Sequence, residues 1–283
     1  MGKREKRREL SGSKGSRLIS YFPIVTRIIE QMVLGDVLDK LSVREVNPMA
    51  VGHLNPADYF ELMAREEAEA CRNVETEYAA VADDIAGWDT RVSRMDLEKE
   101  CWFFKQFADP DLGKDIEAVY RLYAHHMTLL KRPVRGGTDL CVLEEKKGRL
   151  SGTIATYVGN TITNTNKTLT HIALSLGITP EEAWKRLESK AINAYVSGDD
   201  KVVSGSRQDM EKIANNVDYW RDTGYVRKDI DPKDPSVLID DFSEVDFCSH
   251  RPVKVKFELG LRDEYGQLIT TNQTEEVVRR DQN

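Results

Sequence analysis

The segment INAYVSGDDKVVSG, from Ile192 to Gly205, limits the possible folds more than any other stretch. Two apolar runs rich in β-branched residues flank Gly198, Asp199 and Asp200. A chain of that pattern reverses at the glycine and pairs its two arms as an antiparallel β-hairpin. Hairpins build antiparallel sheets, whereas Rossmann-like parallel sheets need long crossovers. The same tip raises an electrostatic problem, because adjacent carboxylates repel and a turn needs only one Gly or Asp. A divalent cation would draw both acids to one place.

Helical patterns surround the hairpin. Residues 21–41 carry helical apolar spacing at Ile24, Ile28, Met32 and Val33, and Gly35 is placed to end or bend that helix. Asn55 caps a helix that starts at Pro56 and reaches Tyr78; a short strand, YAAVADD, follows. Ser93 caps the helix RMDLEKECWFFKQF, and GKDIEAVYRLYAHHMTLL forms another after the turn at Asp109-Pro110. Gly136-Gly137 and Glu144 to Gly148 read as hairpin or loop tips. A polar helix spans about Ile154 to Leu176, and Thr179 caps the next with Pro180 at its first position. Arg207 to Trp220 is again helical, and short extended pieces follow Pro235. Alternating helices and strands give an α/β or α+β fold, and the hairpin favours an antiparallel sheet.

With 283 residues the chain has room for one large domain or two smaller ones. Its net charge of −7 argues against a nucleic-acid partner until the distribution is considered. Lys3, Arg4, Lys6, Arg7, Arg8, Lys14 and Arg17 crowd the opening against only Glu5 and Glu9. Such a run is either a solvated tail or a flexible basic loop that follows phosphates. Cys71, Cys101, Cys141 and Cys248 lie far apart without a CxxC pair, which disfavours a disulfide framework or four-ligand zinc site and suits a reducing compartment. No apolar run reaches the roughly 20 residues that span a membrane, and no signal peptide follows Met1. Without GxGxxG or GxxxxGK[ST], the common mononucleotide folds are not indicated.

Alone, GDD is a weak signal, present by chance in roughly one chain in twenty of this length. Its companions add weight. VADDIAGWD puts Asp84 at the end of the expected strand and Asp89 five residues on. A strand-end acid beside an acidic hairpin tip places Asp84, Asp199 and Asp200 around one point, a hard-oxygen set suited to Mg²⁺ that shares substrate phosphates. Two such ions activate an attacking hydroxyl and stabilise a leaving pyrophosphate oxygen. In LSGTIATYVGNTITN, Ser151-Gly152 suits a mobile loop, while Thr156 and Asn160 share a helix face. A hydroxyl and an amide facing the acids could read a ribose; a polar helix with a capping serine explains the same residues blandly.

The ordered set of segments resembles the RNA-dependent RNA polymerases of flaviviruses and their relatives. MGKREK with KGSR looks like motif F, VADDIAGWDTRVS like motif A and SGTIATYVGNTITN like motif B. VSGDDKVV is similar to motif C, GYVRKDI to motif D and FCSH to motif E. The resemblance implies an α+β right-hand polymerase, its antiparallel palm sheet backed by helices, with helical fingers segments. Residues 1–77 would be fingers with the basic motif F loop, 78–95 palm, 96–148 a helical insertion, 149–251 palm, and 252–283 the start of a truncated thumb. Asp84 and Asp199 would bind two Mg²⁺ or Mn²⁺ ions, with Asp200 nearby. Asp89 and Asn160 would sense the 2′-OH that separates RNA from DNA precursors. Ser151 and Thr156 would position nucleotide and template, Lys14 and Arg17 would clamp triphosphate oxygens, and Lys3 and Arg4 would contact RNA. Cys248 and Ser249 would meet the primer strand. The implied partners are RNA template and product, nucleoside triphosphates and other viral replication proteins, in host cytoplasm at membrane-associated replication complexes.

The sequence departs from the pattern in three places. Tyr225 stands where the family has the motif D lysine, which leaves Lys228 as the candidate proton donor. Arg251, Pro252 and Val253 follow His250 where the family has a further His, so a structural zinc is not expected. The chain also stops where a thumb should begin, which leads to the expectation of an internal piece of a polyprotein product that is inactive alone. The rival readings are a non-catalytic RNA-binding remnant and a reverse transcriptase. The pairing of Asp89 with Asn160 disfavours the second.

Overall fold

The computed structural model describes residues 22–41, 47–51, 54–73, 77–82, 84–134, 136–145, 148–227, 238–262 and 268–280. In chain order the elements are α1 (Ile24–Leu41), α2 (Pro56–Asn73), β1 (Tyr78–Val81), α3 (Trp88–Arg91), α4 (Arg94–Lys105) and α5 (Pro110–Ala124). Then come β2 (His126–Val134), β3 (Gly137–Glu145), α6 (Thr156–Leu176), α7 (Pro180–Glu188), β4 (Ile192–Ser197) and β5 (Asp200–Ser206). The last are α8 (Arg207–Asn215), α9 (Asp218–Asp222), β6 (Leu238–Ile239), a 3₁₀ turn (Phe242–Glu244), β7 (Pro252–Arg262) and β8 (Leu268–Arg280). The chain divides into two compact units, Met1–Leu41 with Gly87–Thr163 and Ser42–Ala86 with Asn164–Asn283. The division falls inside α6.

The second unit holds a sheet in the order β4-β5-β1-β6, with antiparallel neighbours throughout. Period-two alternation sorts its side chains between two apolar layers. Ile192, Ala194, Val196, Val203, Ala79 and Val81 join Ile172 of α6, Leu187 of α7 and Met210 and Ile213 of α8. Tyr195, Val202 and Ala80 face the other way, onto Tyr59, Phe60 and Met63 of α2 and onto Val245 and Phe247. Burial on both faces explains why the hairpin arms are nearly continuous apolar runs. Each fully buried Val, Ile or Phe contributes about 1.5–3 kcal/mol by leaving water. Cap chemistry sets the helix ends as expected: Asn55 Oδ1 accepts from Asp58 N at 3.1 Å, and Thr179 Oγ1 from Glu182 N at 3.2 Å.

In this unit the structure corrects three boundaries. The expected strand YAAVADD ends at Val81, and the helix from Pro56 ends at Asn73. The helix expected from Arg207 to Trp220 breaks between Asn215 and Asp218, where Asn216 N bonds back to Lys212 O and Ile213 O and its φ/ψ of −81°/60° leaves the helix. The extended pieces after Pro235 include one long hairpin, β7–β8, paired from Pro252↔Arg280 to Arg262↔Leu268.

In the first unit α4 begins with the capping box of Ser93 and Asp96, and α5 begins at Asp109 with Pro110 in its first turn. Phe104, Ile116, Val119, Tyr120 and Tyr123 are buried along α4 and α5. Tyr123 donates to Glu30 Oε1 at 2.6 Å, and burial pushes the Glu30 carboxyl above the usual carboxylate range. Two expectations fail here. HHMTLL does not continue α5: the chain leaves the helix at His125, and β2 pairs residue by residue with β3. A nine-pair ladder overrides weak helical periodicity. Gly35 neither ends nor bends α1 enough to interrupt it, and the stripe Ile24, Ile28, Met32 is exposed at 70%, 54% and 79%. The large apolar side chains it buries are Leu34, Val37, Leu38 and Leu41.

Candidate active site

At the β4–β5 tip Ser197 pairs with Asp200, so Gly198 and Asp199 alone make the turn. Gly198 has φ +63°, a conformation that costs most side chains and suits glycine. The tip is held from below by a residue that the sequence reading missed. Asn164 of α6 is 0% exposed, and its Nδ2 reaches the carbonyl oxygens of Gly198, Asp199 and Asp200 at 3.2, 3.0 and 3.4 Å. Thr168 donates to its Oδ1 at 3.3 Å. Three acceptors around one amide nitrogen fix its orientation. With the backbone oxygens turned inward to Asn164, Asp199 is exposed and Asp200 is half-exposed at the tip.

Asp84 follows β1 by three residues and is exposed. β1 runs antiparallel to β5 with Val81 opposite Val203, so the chain leaving β1 heads toward the β5 start at Asp200. The segment is pinned just beyond, where Ile85 bridges to Arg227 and Ala86 N donates to Val226 O at 2.7 Å. Among the described residues, no three His, Cys, Asp or Glu side chains stand together as a ready metal cage. Mg²⁺ seldom uses one, since one or two carboxylates, waters and substrate phosphates complete its shell. Asp84, Asp199 and Asp200 are all described, so the expectation that they gather around one point as a three-acid set is not met; as carboxylates they are still hard-oxygen donors of the type Mg²⁺ takes.

Cys248 and Ser249 form a second two-residue turn, closed by Phe247 N to His250 O and His250 N to Phe247 O, both 3.0 Å. Both residues adopt positive φ, +54° and +60°, although neither is glycine. Conformations of this kind cost about 1 kcal/mol or more each and need support. It comes from buried Phe247, stacked edge-on to Tyr59 at 5.2 Å, and from the His250 ring nitrogen 2.6 Å from Cys248 O. The Cys248 thiol bonds to Ser197 and to Asp200. Burial pushes it up to about 12; the Ser197 bond is the next largest influence and opposes the rise, and Asp200 and then Asp199 add smaller upward pushes. The turn at Cys248-Ser249 thus touches the acidic tip through one thiol.

In the first unit Asp89 lies in the single turn α3 and Asn160 on α6. Asn160 Nδ2 donates to Asp89 Oδ1 at 3.1 Å, and Trp88 Nε1 donates to Asn160 Oδ1 at 3.0 Å. Asn160 is 5% exposed, so its amide is aimed by these partners rather than by water. Thr156 Oγ1 donates to Leu150 O at 2.9 Å and lies 2.9 Å from Thr153 Oγ1, bracing the turn that holds half-buried Ser151. Two of the expected nucleotide residues, Asp89 and Asn160, are therefore directly bonded.

Lys3, Arg4, Lys14, Arg17 and Lys228 lie outside the described residues. Tyr225, at the departing motif D position, is 0% exposed with Lys167 Nζ 4.3 Å from its ring centroid. A groove of about 430 Å³ between α4 and α5, lined by Cys101, Trp102 and Arg121, contains none of the expected site residues. No helix among the described residues is long and apolar enough to cross a membrane.

A helix-backed antiparallel sheet with acids at a hairpin tip is the arrangement of a polymerase palm. Residues 1–238 match the family of flavivirus RNA-directed RNA polymerases, fingers and palm domains, and the chain belongs to that family. It is also 32% identical, over 95% of its length, to the genome polyprotein of mosquito cell fusing agent. The chain spans 8% of that polyprotein.

Proposed function

We propose that the chain supplies the nucleotidyl-transfer centre of an RNA-directed RNA polymerase, which joins a nucleoside triphosphate to an RNA 3′-OH during viral genome replication. The observation that carries this reading is the acidic β4–β5 tip held by Asn164, with the β1 end that leads to Asp84 antiparallel beside β5. Asp84 and Asp199 are the residues that would hold two Mg²⁺ or Mn²⁺ ions, and the chemistry such ions would supply is stabilisation of charge on the attacking and leaving oxygens. Asp200 stays beside them, bonded to Cys248. Asp89 and Asn160 read the ribose 2′-OH, and Ser151 and Thr156 position nucleotide and template. The basic run at Lys3, Arg4, Lys14 and Arg17 meets triphosphate and RNA phosphates, Cys248 and Ser249 meet the primer, and Lys228 protonates the leaving pyrophosphate. The setting is the host cytoplasm, at membrane-associated complexes with other viral replication proteins.

The test is Asp199→Ala in a polymerase in which this chain supplies fingers and palm. Incorporation dependent on Mg²⁺ or Mn²⁺ should disappear while RNA affinity, which comes mainly from basic contacts, stays within about twofold. Near-wild-type incorporation would refute the assignment. A wild-type protein that binds RNA but never extends a primer would identify a non-catalytic remnant.

A further inference from the structure

We propose that the buried ion pair Glu100–Arg149 is a positioning device for the Asp89–Asn160 couple, and so for ribose selection. The inference rests on the reading of Asp89 and Asn160 as the 2′-OH sensors. Glu100 of α4 and Arg149, just before the Ser151 turn, have side chains 1% and 2% exposed and are bonded to each other. Around a pair so deeply buried, desolvation consumes most of the mutual attraction, so it is a poor source of stability. Its geometry offers something else. Arg149 N donates to Asp89 O at 2.7 Å and Gly148 N to Val92 O at 2.9 Å, which lays this segment along α3. The Glu100 carboxylate also accepts from Thr163, one turn beyond Asn160 on α6, and from the Tyr120 hydroxyl at 3.4 Å. One carboxylate therefore ties both segments that carry the sensing residues.

The contact with α6 is closer still at Gly159, immediately before Asn160. A Cβ there would stand 2.5 Å from Arg149 Nη1 and 2.7 Å from Glu100 Oε2, so only a glycine lets the helix backbone rest on the pair. A displacement of either charged group must move the α6 backbone at Asn160 or the α3 backbone at Asp89. The 3.1 Å bond between them reports that spacing.

The experiment separates positioning from support. In a polymerase in which this chain supplies fingers and palm, Glu100→Gln is compared with the double variant Glu100→Leu/Arg149→Met. The apolar double variant should regain the urea resistance that the single variant loses, because no unpaired charge stays buried. Its ratio of ribonucleotide to deoxyribonucleotide incorporation efficiency should nevertheless fall on the order of tenfold, as for one mis-set hydrogen bond. In the chain itself the Trp88 indole N–H resonance, identified among four tryptophans by Trp88→Phe, should shift in the double variant because its acceptor Asn160 has moved. An unchanged incorporation ratio in a double variant of restored stability overturns the proposal, whether or not the Trp88 signal moves. If the wild-type protein transfers no nucleotide, the polymerase reading fails instead, and an unmoved Trp88 signal alone then overturns the positioning.

Discussion

Asn164 offers a direct test of how the acidic tip is held. Its amide nitrogen has two hydrogens for three carbonyls at 3.0–3.4 Å, equivalent to about two ordinary bonds. Asn164→Ala removes them and leaves the Thr168 hydroxyl, 1% exposed, without that acceptor. At about 1 kcal/mol for each lost bond, the cost is about 2–3 kcal/mol. Urea unfolding should register this as a midpoint lowered by about 1 M. Asn164→Asp is the sharper perturbation, since it keeps the shape and replaces the donor by an oxygen facing three carbonyl oxygens. It should be more damaging than alanine at neutral pH, although it is smaller in volume change. A buried carboxyl in that position has a raised pKa, so the folded state binds its proton more tightly than the unfolded state. The deficit of the aspartate variant should therefore shrink as pH falls through the carboxylate range, while that of alanine should not. An aspartate variant as stable as wild type at neutral pH would refute the assigned role of the amide.

The Cys248-Ser249 turn gives two further tests. Ser249 is exposed at φ +60°, so Ser249→Gly should raise stability by about 0.5–1 kcal/mol in denaturant unfolding; a loss would show that the hydroxyl matters more than the backbone. With its thiol pushed up to about 12, Cys248 in metal-free buffer should be alkylated at a rate still rising about tenfold per pH unit beyond pH 10, where an ordinary thiol has levelled off. A plateau near pH 9 would refute the burial of the thiol against the acidic tip.

Short-range chemistry is legible in the bare chain. Asn55, Ser93 and Thr179 cap helices where their side chains and following prolines or acids indicate, because a cap depends on three or four consecutive residues; Asp109, read as part of a turn, is also a cap and starts its helix at Pro110. The Ile192–Gly205 hairpin, with Gly198 at its turn, is likewise local. The order of six motifs pointed to the family that the comparisons then showed. Tertiary structure decided what depends on partners far along the chain. Periodicity at Ile24, Ile28, Met32 and Val33 marked a helix, but which of its faces is buried needs a facing surface, and Ile24, Ile28 and Met32 are exposed. His126 to Val134 became a strand because β3 was available to pair with it. Asn164 and Gly198 are 34 residues apart and Glu100 and Arg149 are 49 apart, separations at which residue type alone carries no geometry. A buried amide or ion pair is recognisable only once folding has removed the water that would otherwise satisfy it.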